Sequence, residues 1–350
     1  DREVLMTRNS VGICDVSTLG KIDIQGKDAG KFLNKIYINT FSTLKVGKCR
    51  YGLMLREDGI AMDDGTSARL SETHYIMTTT TAKAGSVYSH LEFCRQVLFP
   101  NMDVHIISTT DQWAQFSIAG PNARNLLSKI IDPSFNISNE TFPYMACAEI
   151  TICSGVRARI FRLSFSGELA YEISVPSRYG DALIRKLISA GKEFNVTMYG
   201  TEALGVMRIE KGHAAGNELD GRNTPVNLGL SGLMAKKKDY IGKTLSSREK
   251  LSGNETMVGF LSVNPSDKLT NGSHFVNIGD KILPENDQGH MSSVAYSPIL
   301  ERYIGIGFLK NGKDRYDETL KAIDFLQNNH VEVKVVSPHF IDPNGDRLRA

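Results

Sequence analysis

The sequence predicts an α+β protein with mostly antiparallel sheets and a small C-terminal β-barrel or sandwich. Strand and helix patterns follow one another in a loose strand–helix–strand–strand order through residues 1–215. Short strand-like runs dominate after Gly242. No GxGxxG motif follows a predicted strand, and no P-loop is present. A parallel doubly wound sheet is therefore not expected.

The elements of the first part follow from local patterns. Residues 19–25 alternate apolar and polar side chains, as a half-buried strand does, and residues 57–59 supply the turn of a hairpin. Strands are predicted at 19–25, 49–55, 60–69, 75–80, 104–109, 113–118, 148–152, 158–165 and 169–175. Helices are predicted at 29–37, 82–96, 179–192 and 201–211, with another starting at 120–122.

The C-terminal part has a different pattern. Its short runs predict strands at 257–263, 289–296, 303–309 and 331–336. Weak helical periodicity predicts one short helical segment near residues 320–327. This composition fits a barrel or sandwich of about 100 residues.

Length and composition limit the class of protein. A chain of 350 residues favours two or three domains. The net charge of +2 gives no general attraction to nucleic acid or to an anionic membrane, and no long apolar stretch predicts a membrane span. The five cysteines lack CxxC and metal-ligand spacing, so reduced thiols, a cytoplasmic location and no bound metal are expected. The chain starts with Asp1 and not with Met, so we expect it either to be part of a longer polypeptide or to lack its leader.

Three segments, 59–66, 163–172 and 207–213, place charged residues beside glycine and apolar residues. Burying a carboxylate is costly unless a partner compensates it, so these segments hold candidate ligand or catalytic groups. Two carboxylates and an arginine could bind a polar heterocycle and manage one proton. The chemistry therefore favours a cleft for a polar ligand.

Each charged candidate also has an ordinary structural interpretation. Asp63 and Asp64 are neighbours on a strand and face opposite sides, so one of them faces a pocket or both serve a turn. Glu172 lies in an apolar strand, where it is either exposed or a carboxylate that accepts two N–H groups from a ligand. Arg208 on a helix is a structural ion pair, an anion clamp or an interdomain tie.

Several motifs together resemble a known family. These are VGICDVS at 11–17, the aspartate hairpin at 63–64, AGPNA at 119–123, SGE at 166–168, YEI at 171–173, RIE at 208–210 and YIG at 240–242. In this order they resemble the aminomethyltransferase, or glycine-cleavage T-protein, family of tetrahydrofolate-binding proteins. Longer strings at 12–26, 63–82, 163–176, 211–222, 236–243 and 337–350 are similar to one branch of it, the alpha subunits of heterotetrameric sarcosine oxidases.

The resemblance implies a three-domain cloverleaf of the aminomethyltransferase type around a folate channel. Residues 1–50 with about 195–245 would form the first folate-binding domain, 51–194 a ferredoxin-like second domain, and 246–350 the barrel. Tetrahydrofolate is the implied cofactor. Flavin and NAD are expected only on other subunits or on an N-terminal region outside this sequence.

The implied activity is that of a sarcosine oxidase complex. A flavin-bearing beta subunit would oxidise the amine, and the folate-binding part would capture the one-carbon unit as 5,10-methylenetetrahydrofolate, with glycine and hydrogen peroxide as co-products. The implied partners are that beta subunit, the small subunits and a small-molecule amine, with no nucleic acid and no membrane. The alternatives are a free-standing aminomethyltransferase or methyltransferase of the glycine-cleavage or demethylase type, and a non-catalytic folate-binding scaffold.

The resemblance also assigns residues to the site. By position, Asp64 matches the aspartate that would orient the folate and accept a proton, and a one-residue shift of the hairpin would give that role to Asp63. Asp63 is also assigned to the folate-binding set. Glu172 matches the glutamate that binds the pterin ring.

Three more residues complete the implied site. Arg208 matches a helix arginine that lines the same region, and Tyr171 is assigned to the folate-binding set. Phe165 stands where the family commonly has tyrosine, so the ring packing would remain and the hydroxyl contact would be lost.

Overall fold

A computed structural model describes residues 1–248, 251 and 253–350 of the chain. Within these residues the strands form a five-stranded sheet, a six-stranded sheet and a closed six-stranded barrel. Helices pack against the sheets. The predicted α+β class, with mostly antiparallel sheets and a C-terminal barrel, is confirmed.

The strands are numbered in chain order. They are β1 Gly12–Asp15, β2 Gly20–Gln25, β3 Lys48–Leu55, β4 Ala61–Ser71, β5 His74–Thr79, β6 His105–Ser108, β7 Trp113–Ala119, β8 Cys147–Ile152, β9 Val156–Phe161, β10 Ala170–Pro176, β11 Thr197–Met198, β12 Glu255–Ser262, β13 His274–Asn277, β14 Gly289–Ser297, β15 Arg302–Lys310, β16 Thr319–Asp324 and β17 Asn329–Val336. The helices are α1 Arg2–Asn9, α2 Ala29–Ile36, α3 Ala84–Phe93, α4 Ala123–Leu127, α5 Gly180–Ala190, α6 Thr201–Lys211, α7 Lys243–Ser246 and α8 Asp346–Arg349.

The five-stranded sheet has the order β3-β4-β5-β2-β6. One face packs against α2 and α3, because α2 buries apolar residues spaced three and four apart. The β3–β4 hairpin turns at Gly59, which has a φ of +87° and lies so close to α7 that a Cβ would meet the Ser246 nitrogen at 2.4 Å. The hairpin that carries the paired aspartates is therefore held against the segment leading to the barrel.

The six-stranded sheet has the order β11-β1-β7-β10-β9-β8, and its β1–β11 pair is parallel. Its outer face packs against α4 and α5. Its inner face meets the five-stranded sheet, where Cys147 and Phe161 pack against Cys49 and Ala68. The site described below lies on these two inner faces, which face each other.

The barrel has the order β12-β15-β14-β13-β16-β17. The predicted helical segment near residues 320–327 is wrong, because Thr319–Asp324 pairs with both β13 and β17 as strand β16. Its apolar positions Leu320 and Ala322 alternate into the barrel core, as a strand requires. Pairing with two distant strands outweighs the weak local periodicity.

Some further boundaries differ from prediction. Helices α1, α7 and α8 and strands β1, β11 and β13 were not predicted. Strand β9 ends at Phe161, so Phe165 lies in the following loop and not in the predicted strand. The five-stranded sheet takes β2 together with β3 to β6, so sheet membership crosses the predicted boundary at residue 50. The proposed division into folding domains stays a prediction. No helix among the described residues is long and apolar enough to cross a membrane.

Candidate functional site

Asp64 lies on the inner face of the five-stranded sheet. Strand β4 alternates its side chains, so Asp64 shares a face with Ala68, which packs against the six-stranded sheet. The hydroxyl of Tyr51 on β3 donates a hydrogen bond to Asp64 Oδ2 at 2.9 Å. Burial and the neighbouring charge of Asp63 raise the pKa of Asp64 to about 7. The carboxyl group is thus able to take up and release a proton near neutral pH.

Asp63 points to the opposite face of the same strand and is almost fully buried. Its Oδ2 accepts a hydrogen bond from the backbone N–H of Thr80 at 3.2 Å. Burial raises the pKa of Asp63 to about 6, although the Thr80 contacts oppose this. The structure therefore places the two aspartates on different faces, as their adjacency predicts.

Glu172 lies on the inner face of the six-stranded sheet, on β10. Its cross-strand neighbour on β9 is Phe161, which packs into the contact between the sheets. Gln115 Nε2 donates to Glu172 Oε2 at 2.5 Å, and Ser174 Oγ donates to Gln115 Oε1 at 3.0 Å. Burial raises the pKa of Glu172 to about 7, against the opposing effects of Gln115 and Lys21. One amide donor thus compensates the carboxylate only in part.

Lys21, on β2, brings a cation into the space between the inner faces of the two sheets, which is called the layer below. It shares a strand face with Asp23, which reaches across to Arg159 of the six-stranded sheet at 3.7 Å. Its Nζ donates to the carbonyls of Ser17 at 2.7 Å and Leu19 at 3.0 Å. Asp64, Glu172 and Lys21 therefore all lie on faces directed into the same space between two sheets.

Tyr171 is not brought together with these groups. It neighbours Glu172 on β10 and so points to the other face, into the core under α4 and α5. Its hydroxyl accepts a hydrogen bond from Arg124 Nε at 2.9 Å. Its assignment to the folate-binding set stays a prediction, and its observed contacts are those of a core residue.

Phe165 lies in the loop after β9, two residues beyond Leu163, which packs between the sheets. Phe165 is 40% exposed, and its ring stacks on His213, with centroids 5.7 Å apart. His213 Nδ1 lies 3.0 Å from the Phe165 carbonyl oxygen, and burial lowers the pKa of His213 to about 4. The pair forms a neutral aromatic surface at the edge of the layer.

Arg208 on α6 is engaged within the protein. Its Nη1 donates to Glu218 Oε2 at 2.9 Å, and its Nη2 donates to Ser293 Oγ of the barrel at 2.7 Å. Glu218 also accepts from the hydroxyls of Ser292 and Ser293, at 2.5 and 2.6 Å. These contacts are those of an interdomain tie, one of the alternatives open from the sequence. A role for Arg208 in ligand binding stays a prediction.

Sequence reasoning missed three residues of this layer: Tyr51, Gln115 and Lys21. For Lys21 the signal was present, because Ile22 and Ile24 alternate with Lys21 and Asp23 and predict a polar face. For Gln115 and Tyr51 no local signal distinguished a ligand-facing side chain from a satisfied polar residue. Their partners lie on other strands, at sequence separations of 57 and 13 residues.

The site combines two carboxyl groups, each with a pKa of about 7, with an amide, a phenol and an ammonium group as hydrogen-bond donors. Carboxylates can accept N–H groups of a heterocycle, and a carboxyl group with a pKa near 7 is suited to proton transfer. The described residues contain no cluster of three or more His, Cys, Asp or Glu side chains arranged to hold a metal ion.

Comparison with known proteins places the chain in a family. Residues 1–238 match the GCVT N-terminal domain, and residues 256–342 match the glycine cleavage T-protein C-terminal barrel domain. The solved structure of the glycine cleavage system aminomethyltransferase T from Bartonella henselae superposes with a TM-score of 0.84, covering 98% of this chain and 89% of that one at 21% identity. That likeness supports the fold.

Sequence relatives give a finer comparison. The sarcosine oxidase subunit alpha of Rhizobium meliloti (strain 1021) is 46% identical over 99% of this chain, and that of Corynebacterium sp. (strain U-96) is 40% identical over 99%. The chain spans 36% of the length of either subunit and matches their C-terminal part. The aminomethyltransferase of Chloroherpeton thalassium (strain ATCC 35110 / GB-78) is 29% identical over 96% of this chain and 89% of its own length. The chain therefore belongs to the glycine-cleavage T-protein (GCVT) family.

Proposed function

We propose that this chain is the tetrahydrofolate-binding part of a sarcosine oxidase alpha subunit. It would capture the one-carbon unit of oxidised sarcosine as 5,10-methylenetetrahydrofolate, while the whole complex forms glycine and hydrogen peroxide. The observation that carries the proposal is the placement of Asp64 and Glu172 on facing sheets, each with a pKa raised to about 7. The similarity to two sarcosine oxidase alpha subunits supports this branch of the family.

The donor and acceptor groups of the layer fit a reduced folate. Gln115 occupies one oxygen of Glu172, and a carboxylate can accept further hydrogen bonds. The amino-amide edge of a pterin presents two parallel N–H groups, which a carboxylate accepts in a bidentate geometry. Glu172 would therefore hold the pterin, and Phe165 with His213 would offer a neutral aromatic surface for stacking.

The chain's own residues would orient the ligand and manage one proton. Tetrahydrofolate supplies the nitrogen atoms that accept the one-carbon unit. Asp64 would take the proton released there, since its pKa of about 7 allows both protonation states at neutral pH. Tyr51 stabilises the ionised form of Asp64 by donating a hydrogen bond, so the base is present before the proton arrives.

The proposed partners follow from the same relatives. A flavin-bearing beta subunit would oxidise the amine and deliver the one-carbon unit, and small subunits would complete the complex. Flavin and NAD are expected on those subunits or on another part of the alpha subunit. The coverage of 36% of the related subunits leaves room for such a region in their sequences.

The first experiment titrates the purified chain with tetrahydrofolate by calorimetry under nitrogen. Glu172→Gln removes the charge with little change of shape, and we expect binding to weaken by about tenfold or more, since hydrogen bonds to a charged group contribute about 1.5–3 kcal/mol. Glu193→Gln is the matched control, because Glu193 is exposed and pairs with Lys129 at the surface. Equal affinity in wild type and Glu172→Gln would refute the pterin site.

The second experiment uses the complex assembled with a flavin-bearing partner subunit. Asp64→Asn is expected to keep sarcosine oxidation and to shift the one-carbon product from methylenetetrahydrofolate to free formaldehyde. An unchanged ratio of the two products would remove Asp64 from the reaction.

A second candidate function is a free-standing aminomethyltransferase. The relative from Chloroherpeton thalassium favours it, because the match covers 89% of that enzyme's length. One-carbon transfer to tetrahydrofolate by the isolated chain, from an aminomethyl or methyl donor and without a flavoprotein, would support this candidate over the oxidase subunit.

A further inference from the structure

We propose that Lys21 is the counter-ion of Glu172 and, through it, a positioning residue of the folate site. The inference rests on the proposed function, in which the Glu172 carboxylate accepts the N–H groups of the pterin. Lys21 would keep that carboxylate ionised in a buried layer that otherwise favours its neutral form.

The geometry places the ammonium where it can act on Glu172. Lys21 and Asp23 lie on the same face of β2, and Asp23 reaches Arg159 of the facing sheet at 3.7 Å. Ser174, the cross-strand neighbour of Arg159, lies on the same strand and face as Glu172. Lys21 Nζ donates to the carbonyl oxygen of Ser17, and Ser17 Oγ accepts a hydrogen bond from the backbone N–H of Gln115 at 2.9 Å. The side chain of Gln115 in turn donates to Glu172, so Lys21 is tied to the residue that contacts Glu172.

The ammonium is fixed by two backbone carbonyls. Lys21 is 3% exposed, and its Nζ donates to the carbonyl oxygens of Ser17 and Leu19, in the turn that precedes β2. An ammonium group has three N–H donors, so one remains beyond these two bonds. A buried lysine is costly unless charge compensates it, and such a group is therefore seldom a simple core residue.

Few charged groups compete with Lys21 near Glu172. The six-stranded sheet contributes Gln115, which is neutral, and the segment after β11 contributes Tyr199, whose pKa is raised by burial so that it stays neutral. From β3, Cys49 also stays neutral, because burial raises the pKa of its thiol. Lys21 is the cation that lowers the pKa of Glu172 within the described part of the chain.

The effect is reciprocal, which is what a counter-ion pair requires. Burial lowers the pKa of Lys21 to about 8, and the charge of Glu172 is the largest influence that opposes this, followed by Asp15 and Asp111. The nearby Arg159 is already taken by Asp23 and Glu149. Among the described residues, Glu172 is therefore the strongest counter-charge of Lys21, and Lys21 is the cation that acts on Glu172.

Removing the cation should change the ionisation of Glu172 in one direction. Lys21→Met raises the pKa of Glu172, by about one unit or more for a lost neighbouring charge. The fraction of ionised Glu172 then falls near neutral pH. We expect tetrahydrofolate binding about threefold weaker at about pH 7.5, with most of the loss recovered at about pH 9, because apparent affinity scales with the competent fraction.

The decisive experiment needs no ligand. The chain is labelled with ¹³C at the glutamate Cδ, the Glu172 signal is identified by its loss in Glu172→Gln, and its pH titration is followed by NMR. We expect an upward shift of the midpoint in Lys21→Met, a midpoint near wild type in Lys21→Arg, and no shift in the matched surface control Lys31→Met, whose lysine pairs with Asp28 at the surface.

Two outcomes separate this inference from the proposed function. An unchanged Glu172 midpoint in a folded Lys21→Met, or in Lys21→Gln where the former does not fold, overturns the role of Lys21 and leaves folate binding untouched. A shifted midpoint in a chain that binds no tetrahydrofolate supports the ion pair and refutes the proposed function. Where wild type binds, a lower affinity with an unshifted pH profile means a merely structural lysine and also overturns the inference.

Discussion

Two buried sets of carboxylates in this chain have opposite surroundings. Glu168 and Glu210 meet Arg8 of α1, whose Nη1 lies 2.6 Å from Glu168 and whose Nη2 lies 2.5 Å from Glu210. Arg347 also reaches Glu168 at 2.8 Å. Asp64 and Glu172 are held instead by a phenol and an amide, with a lysine as the nearby cation for Glu172.

The difference separates a structural network from a binding site. In the Arg8 network each carboxylate contacts an arginine directly, so its charge is compensated in the folded chain. In the Asp64 and Glu172 layer burial exceeds compensation, and the pKa of each group rises to about 7. An under-compensated carboxylate destabilises the ligand-free protein and is ready to accept a donor, which is the property that a ligand site needs.

The largest expected change in stability comes from removing Arg8, which compensates the charges of Glu168 and Glu210. Arg8→Met leaves Glu168 and Glu210 buried with less positive charge, and we expect a loss of about 3–5 kcal/mol in the free energy of unfolding. Urea unfolding followed by circular dichroism measures it. The matched control is Arg185→Met, since Arg185 and Asp181 form an exposed pair with side chains 77% and 76% accessible; there we expect no measurable change in stability. Equal stability of the two variants would show that the network is not a source of stability.

A smaller change in the free energy of unfolding, of opposite sign, is expected for Glu172, whose burial is only partly compensated. The pKa of Glu172 rises from an ordinary value of 4.5 to about 7 on folding, so the favourable contribution of its neutral form is complete below pH 4.5 and is lost as the pH rises through about 7. Glu172→Gln should therefore stabilise the ligand-free chain by up to about 3 kcal/mol at about pH 8. It should give no gain near pH 4.

Thermal unfolding of wild type and Glu172→Gln across this pH range checks the sign. A gain that is independent of pH would indicate better packing in place of a removed charge. A loss of stability at pH 8 would show that Glu172 is compensated like the carboxylates around Arg8, and the contrast between the two regions would disappear.

The sequence predicted all strands of the five-stranded sheet and four of the six-stranded sheet, but not which carboxylates are compensated. Alternation along β4 was enough to place Asp63 and Asp64 on opposite faces, and the family resemblance selected Glu172. The partners of Glu168 and Glu210 could not be predicted, because Arg8 lies 160 and 202 residues away in the chain. Charge beside glycine and apolar residues therefore marks buried polar groups, and only the fold shows which of them keep an uncompensated charge.

The smallest expected effect comes from removing one hydrogen bond, between Tyr51 and Asp64. The Tyr51 hydroxyl donates to Asp64, and this lowers the pKa of Asp64 against the larger effects of burial and Asp63. Tyr51→Phe removes only that hydroxyl, so the pKa of Asp64 should rise above about 7, by about half a unit to one unit. The acid limb of the pH–rate profile for methylenetetrahydrofolate formation in the assembled complex should move to higher pH by the same amount. Tyr296→Phe on the barrel is the control. An acid limb that stays in place in Tyr51→Phe would mean that Asp64 does not supply the base, because its protonation would then change without changing the rate.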